Sequence, residues 1–480
     1  MDPTITTTLN TTLPPPLPIV AANGTMYYLD PTLYSPFVSP GGQPMVPIAT
    51  EVARWHREKE NASIHLVHLL VTCTGAIQTG NYSTAHGNLA KARKILEVIT
   101  TSTGIGRVAN HFADALAQRL FPTYSHTSMS HLPPIAPTDL HNHFYDAGPY
   151  LKFAYSTANQ AILDAFEGCD NVHIVDFALM EGLQWPTLIH ALSKRDGGPP
   201  HLRITGVGPH GDKLNEVGIQ LTDLAASLHI PFSFHALYAN QLNELSYWML
   251  KLIPGEALAF NSILQLHRLL VDPDADPAVP APIDILLRWV SNLKPKIFTI
   301  IEQEADHNRP SLLERFTNAL FHYASMFDSM EAISHQAAGG NTTNTLGEEY
   351  LRSEIFDIVC GEGSARTERH ELLGCWKERL VHAGLIQVPF GPNEVRLATA
   401  QLIHATSFSG SGYAILECAG SLALAWHGRP LYAATAWRAN TASAMTDTKR
   451  HDPGHRGRNG SSKGKSPLAR DGYAGGIVMM

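Results

Sequence analysis

The chain has 480 residues, 44% hydrophobic and 16% charged, with 35 Lys plus Arg against 43 Asp plus Glu for a net charge of −8. That length and apolar content allow a sizeable core in one large domain or several ordinary ones. The acidic balance argues against non-specific DNA binding, which rests on phosphate neutralisation by Lys and Arg. The five cysteines are scattered, odd in number and without a C-x-x-C pair, as expected of buried thiols in a reducing compartment. No basic start followed by an apolar core marks a signal peptide. No run of about 18 apolar residues is present to span a membrane.

In chain order, residues 1–57 are rich in Pro, Thr and Gly and read as disordered. The patch Met26-Tyr27-Tyr28-Leu29 reads as solvated tail rather than a docking peptide. Residues 58–166 read as a mainly helical cap. Leu66, Leu69, Leu70, Cys73 and Ile77 recur at helical spacing, followed by helices over 82–100, 105–120 and 150–166. Residues 125–143 read as a Pro-rich loop carrying His126, His131, His141 and His143. Only Asp139 accompanies them, so a zinc site is disfavoured.

An α/β core is expected over 167–438. Val172-His173-Ile174-Val175 is an apolar strand ending on Asp176. A loop with Gly182, a helix opening at Gln184, Trp185 and Pro186, and a second strand over 202–207 complete a βαβ crossover. Alternation continues with a helix over 214–229 (Leu214, Leu221 and Leu228 seven apart), a strand over 231–237 and a helix over 240–252. A strand over 256–263 follows, with a helix opening over 264–270. Then come a helix over 283–293, a strand over 296–302 and a long helix over 311–333. A soft loop over 334–346 precedes a helix over 349–360. A helix from about residue 369 carries Trp376, and another covers 395–404. Three antiparallel strands follow, over 413–418, 422–426 (ending on Trp426) and 432–437 (ending on Trp437), joined by turns at Ala419-Gly420 and His427-Gly428. Five strands alternating with helices predict a doubly wound, methyltransferase-like, mostly parallel sheet with antiparallel terminal strands. Residues 439–480, with Lys449, Arg450, Lys463 and Lys465 among small polar residues, read as a disordered tail and at most a weak nuclear-import signal.

In open parallel sheets ligands bind at the strand carboxyl ends. A methyltransferase needs small residues in the loop after its first strand and an acid on its second. Here the loop is Phe177-Ala178-Leu179-Met180-Glu181-Gly182, and the second strand ends Gly206-Val207-Gly208-Pro209. Both argue against a working S-adenosylmethionine site, so no cofactor and no catalytic residue is assigned. Glu302, Glu304, Asp306 and His307 read as caps and loop anchors rather than acid–base groups. Two LxxLL strings, 66–70 and 266–270, match coactivator-docking helices but read first as core packing.

These strings together resemble the plant GRAS family of transcriptional regulators over about residues 60–438. VHIVD, 172–176, looks like its VHIID motif. The flanking Leu-rich helices look like its leucine heptad regions. IFTIIEQEADHN, FHYASMFDSME and RTERHE, which holds Arg366 and Glu368, resemble its PFYRE region. Trp376, Gly384, Leu424-Ala425-Trp426 and Thr435-Ala436-Trp437 resemble its closing SAW region. LVHLLVTC, GLQWPTLIHAL and FNSILQLHRLL look most like the DELLA repressors of gibberellin signalling, although residues 1–57 hold neither the DELLA nor the TVHYNP receptor-binding string. The resemblance implies a nuclear co-regulator that binds zinc-finger and basic helix-loop-helix transcription factors, with gibberellin-receptor binding not expected. The motif residues are its candidate contact positions. A methyltransferase and a GRAS protein that reads DNA directly are the alternatives.

Overall fold

The computed structural model describes residues 19–20, 26–27, 48–99, 104–122, 137–334, 341–406 and 412–440. Most of the N-terminal Pro- and Thr-rich stretch, His126, His131 and the tail after residue 440 lie outside these. Ile19–Val20 (β1) and Met26–Tyr27 (β2) form a short antiparallel pair.

The helical layer begins with α1 (Ile48–Gln78), upstream of the expected start, then α2 (Tyr82–Ile99) and α3 (Gly104–Leu120). The expected loop is corrected by α4 (Pro137–Ala147), which buries Phe144. Pro at its first position and Asp139 in its first turn suit a helix start. Next comes α5 (Tyr150–Ala165). Two later helices, α9 (Leu312–Ser334) and α10 (Asn341–Cys360), join the same core. Leu66, Leu70, Leu89, Phe112 and Leu116 pack with Phe316, Tyr323, Phe327, Leu351 and Ile355.

The sheet carries β3 (Asn171–Asp176), β4 (His201–Gly208), β5 (Phe232–Tyr238), β6 (Ala257–Ile263) and β7 (Ile297–Gln303), all parallel, in the order β5-β4-β3-β6-β7. Against β7 lies the long antiparallel β11 (Arg429–Ala439), with Trp437 opposite Phe298. The far half of β11 pairs with β8 (Leu385–Val388), a strand the sequence pattern did not reveal. Its near half pairs with β10 (Ser421–Trp426), which pairs with β9 (Tyr413–Cys418). The path β5-β4-β3-β6-β7-β11-β8 is the methyltransferase-like arrangement expected, with a hairpin added. Both hairpin turns have two residues at positive φ, Ala419-Gly420 and His427-Gly428, the mirror-image geometry that matches strand twist.

Opposite sheet faces are covered by α6 (Trp185–Ser193) and α7 (Gly211–Ser227) on one side. On the other lie α8 (Pro282–Asn292) and α11 (Leu373–His382). The last helix, α12 (Pro392–Ala405), starts with the Glu394 carboxylate accepting from the Gly391 N–H at 2.8 Å. The expected helix over 240–252 is instead two 3-10 turns, Leu242–Glu244 and Tyr247–Leu250, separated by extended Leu245 and Ser246. Leu242, Leu245 and Leu250 still reach the core, so leucines that anchor two 3-10 turns gave the apolar spacing of a helix. Likewise 264–270 holds only a 3-10 turn, Leu266–Leu269.

Candidate functional site: the carboxyl rim of the sheet

At the end of β3 the Asp176 side chain is buried and held by neutral donors. The Trp185 indole N–H reaches Oδ2 at 2.9 Å, and Asn261 Nδ2 and the Ala178 N–H reach Oδ1 at 3.1 and 3.2 Å. Asn261 also donates to Gln184 Oε1 at 3.0 Å and accepts from Thr299 at 2.8 Å. Gln184 in turn donates to Asn159 of α5 at 3.0 Å. Burial raises the Asp176 carboxyl to about 6 against the pull of its three donors. Three residues earlier, on the opposite face, His173 bridges β3 to β4 through Thr205 at 2.8 Å and Arg203 at 2.9 Å. Burial, then the Arg203 charge, lowers it to about 3, so it is a neutral imidazole.

The loop after β3 then folds back over the end of β4. Leu179 is 3% exposed, its N–H donates to Val207 O at 3.1 Å, and its side chain lies on Gly206. A Cβ at position 206 would meet Leu179 Cδ2 at 2.5 Å, and one at Gly182, where φ is +67°, would meet Val217 at 2.5 Å. The glycines here admit protein side chains, not a ligand. Phe177 stacks on Phe260 with ring centroids 5.5 Å apart. The first acid after β4 is Asp212, in the first turn of α7. Leu179 thus packs on the end of β4 where close approach of a nucleoside would need a small side chain, and both still border a cleft.

At the end of β7 the rim is ionic. Glu302 Oε1 accepts from the Leu266 N–H at 2.8 Å and the Gln265 N–H at 3.2 Å, and Oε2 lies 2.7 Å from His267 Nδ1. His267 Nε2 lies 2.8 Å from Glu368 Oε2, and Arg268 lies 2.9 Å from the other Glu368 oxygen. Burial alone would lower His267, but Glu302 and Glu368 override it and hold the imidazolium up to about 9. Burial likewise opposes ionisation of Glu368, yet Arg268 and His267 bring it down to about 2. His370 stacks on His267 at 4.2 Å and meets His307 Nδ1 at 3.0 Å. Arg366 reaches the His307 carbonyl at 3.0 Å and shares Asp272 with Arg369. Among the described residues one group, His267, Glu368 and His370, has the spacing to hold a metal. With both His267 nitrogens directed at carboxylates, a metal would have to displace a proton that two charges retain. Glu304 accepts from the Leu373 N–H at 2.8 Å at the start of α11, and Asp306 pairs with Arg309, so neither joins this cluster.

The remaining candidates do not converge on the rim. Leu66, Leu69, Leu70, Val172, Ile174, Val175, Leu214 and Leu221 are buried, as are Trp376, Trp426 and Trp437, while Leu228 is half-buried. The leucines of both LxxLL strings therefore face the core, the reading given first, rather than a coactivator groove. Trp426 donates to Asp328 at 2.7 Å. Sequence reasoning missed His370 and Tyr323, which complete the ionic rim, because no spacing rule links positions so far apart. It also missed the exposed Tyr247 and Trp248, the latter 70% accessible.

Residues 66–438 match the GRAS domain family. The chain belongs to that family. It is 51% identical over 439 residues to the protein SLENDER RICE1-LIKE 2 of Oryza sativa subsp. japonica, covering 88% of this chain and 87% of that one. To the DELLA protein DWARF8 of Zea mays it is 40% identical over 408 residues, 81% of this chain and 63% of the relative. The crystal structure of SCL7 in Oryza sativa superposes with a TM-score of 0.65 at 32% identity, covering 78% of this chain and 99% of that one. These relatives make this GRAS chain a DELLA-like plant transcriptional regulator, and the relatives themselves are regulatory proteins.

Proposed function

We propose that this GRAS protein is a nuclear co-regulator, a DELLA-like repressor in gibberellin signalling. It acts by binding zinc-finger and basic helix-loop-helix transcription factors and catalyses no reaction. The observation that carries the reading is the bulky Leu179 packed on Gly206, where a nucleotide-binding loop keeps small residues. The buried motif residues, from Leu66 to Trp437, hold the contact surface in place rather than form it. Exposed aromatic side chains such as Tyr247 and Trp248 suit the contacts themselves, because Trp and Tyr dominate binding hot spots.

Calorimetry with S-adenosylmethionine tests the non-catalytic part: micromolar binding would overturn it. Capture of the transcription factors by wild type, weakened in Trp248→Ala, tests the partner part. A salt-dependent, sequence-specific DNA shift by the purified chain alone would favour direct DNA reading instead. With neither receptor-binding string in residues 1–57, the protein should persist when gibberellin is added. Rapid hormone-dependent loss would refute that.

A further inference from the structure

A cleft of about 1610 Å³ runs along the carboxyl ends of β3, β4, β5 and β6, and its far part lies beyond β6. There Arg268, after β6, faces Tyr155 of α5, Tyr350 of α10 and His141 of α4, all lining the same space. The Arg268 side chain keeps 43% of its surface accessible while pairing with Glu368 on one side. The Tyr350 ring is fixed by stacking on Phe144 at 4.6 Å and lies 6.3 Å from the His141 ring. Tyr155 stacks on Tyr145 at 5.8 Å. Among the described residues nothing hydrogen-bonds the Tyr350 hydroxyl, and His141 Nδ1 is buried without a partner.

We propose that this recess binds a small carboxylic acid with a ring-shaped apolar body, its carboxylate on the Arg268 guanidinium and its body between Tyr155, Tyr350 and His141. A planar guanidinium fork matches a carboxylate in two parallel hydrogen bonds. Aromatic walls with a few placed polar groups are the usual lining of a small-molecule site. Glu368 holds the Arg268 guanidinium from one side and leaves the rest of it accessible, which suits a single carboxylate better than a phosphate. Burial and the Arg268 charge lower His141 to about 4, so it offers a neutral imidazole to a hydroxyl or carbonyl on the ligand. The site stands apart from the co-regulator reading and does not depend on it.

The test uses the full chain, with 1-naphthoate and cyclohexanecarboxylate as probes and their primary amides as controls, followed by ligand-observed NMR and calorimetry. The acids should saturate one site and the amides bind about tenfold more weakly. Arg268→Lys keeps a charge for Glu368 but loses the fork, and should weaken the acids about tenfold. Tyr350→Phe removes a hydroxyl that holds nothing in the fold. It should weaken a third probe, 4-hydroxy-1-naphthoate, and serves as the test if Arg268→Lys fails to fold. No saturable binding at millimolar acid, equal binding of acids and amides, acid binding unchanged in folded Arg268→Lys, or hydroxy-acid binding unchanged in Tyr350→Phe would overturn the site. An acidic peptide that binds through Arg268 while the small acids do not would equally overturn it.

Discussion

Asp176 and Glu302 end two strands of the same sheet, both buried, and are satisfied in opposite ways. Asp176 sits among neutral donors from Trp185, Asn261 and a backbone amide, so burial dominates and protonation comes easily. Glu302 sits against an imidazolium that a second carboxylate, Glu368, also holds, so charge is part of the structure. A neutral cage tolerates loss of one member at the cost of a hydrogen bond. An ionic cage that loses one member leaves a buried charge unpaired. The two rims also have different neighbours: Leu179 packs on Gly206 beside the neutral one, whereas Arg268 stands beside the ionic one, and both border the same cleft.

The largest break in this comparison is expected from Glu368→Ala, which strands His267 and Arg268 and should cost about 3–5 kcal/mol in urea unfolding. Next is pH. The folded pKa of His267, about 9, lies above the ordinary imidazole value of 6.5. Its stabilisation is therefore complete below 6.5 and lost as pH rises through 9, about 3 kcal/mol in all. His267→Gln should flatten stability across that window. Asp176 is also raised, from 3.8 to about 6, so its contribution is complete below 3.8 and lost as pH rises through 6. Denaturation midpoints from pH 3.5 to 9.5 should resolve two separate declines, and Asp176→Asn should remove only the lower one. Trp185→Phe keeps most of the packing and leaves Asp176 Oδ2 without its donor, for about 1–3 kcal/mol, read by the same unfolding curves. The smallest effect on stability belongs to Trp248→Ala, within about 0.5 kcal/mol. Its measured loss should appear in transcription-factor capture.

Much of the sheet was legible beforehand because β-rich runs such as 172–176 and 297–303 must be buried on both faces, and burial shows directly in composition. β8 was not: four residues, half of them outward-facing, carry too little pattern, and the strand exists because the far half of β11 needs a partner. The 240–252 crossover misled because leucines spaced for a helix also serve as anchors from 3-10 turns. The first rim was largely readable, since Asp176, Gln184 and Trp185 lie within ten residues. In the second, Arg366 and Glu368 were legible only as parts of a family motif, and their partners stand far off in the chain.

By itself, then, the sequence determined where the parallel strands lie along the chain and the bulk of the loop after β3, since hydrophobic periodicity and side-chain size are local properties. Tertiary structure alone decided that α9 and α10 complete the helical layer, that His267 is an imidazolium, and that Arg268 opens onto a recess. Each depends on groups brought together from distant parts of the chain, where burial and neighbouring charge set their chemistry.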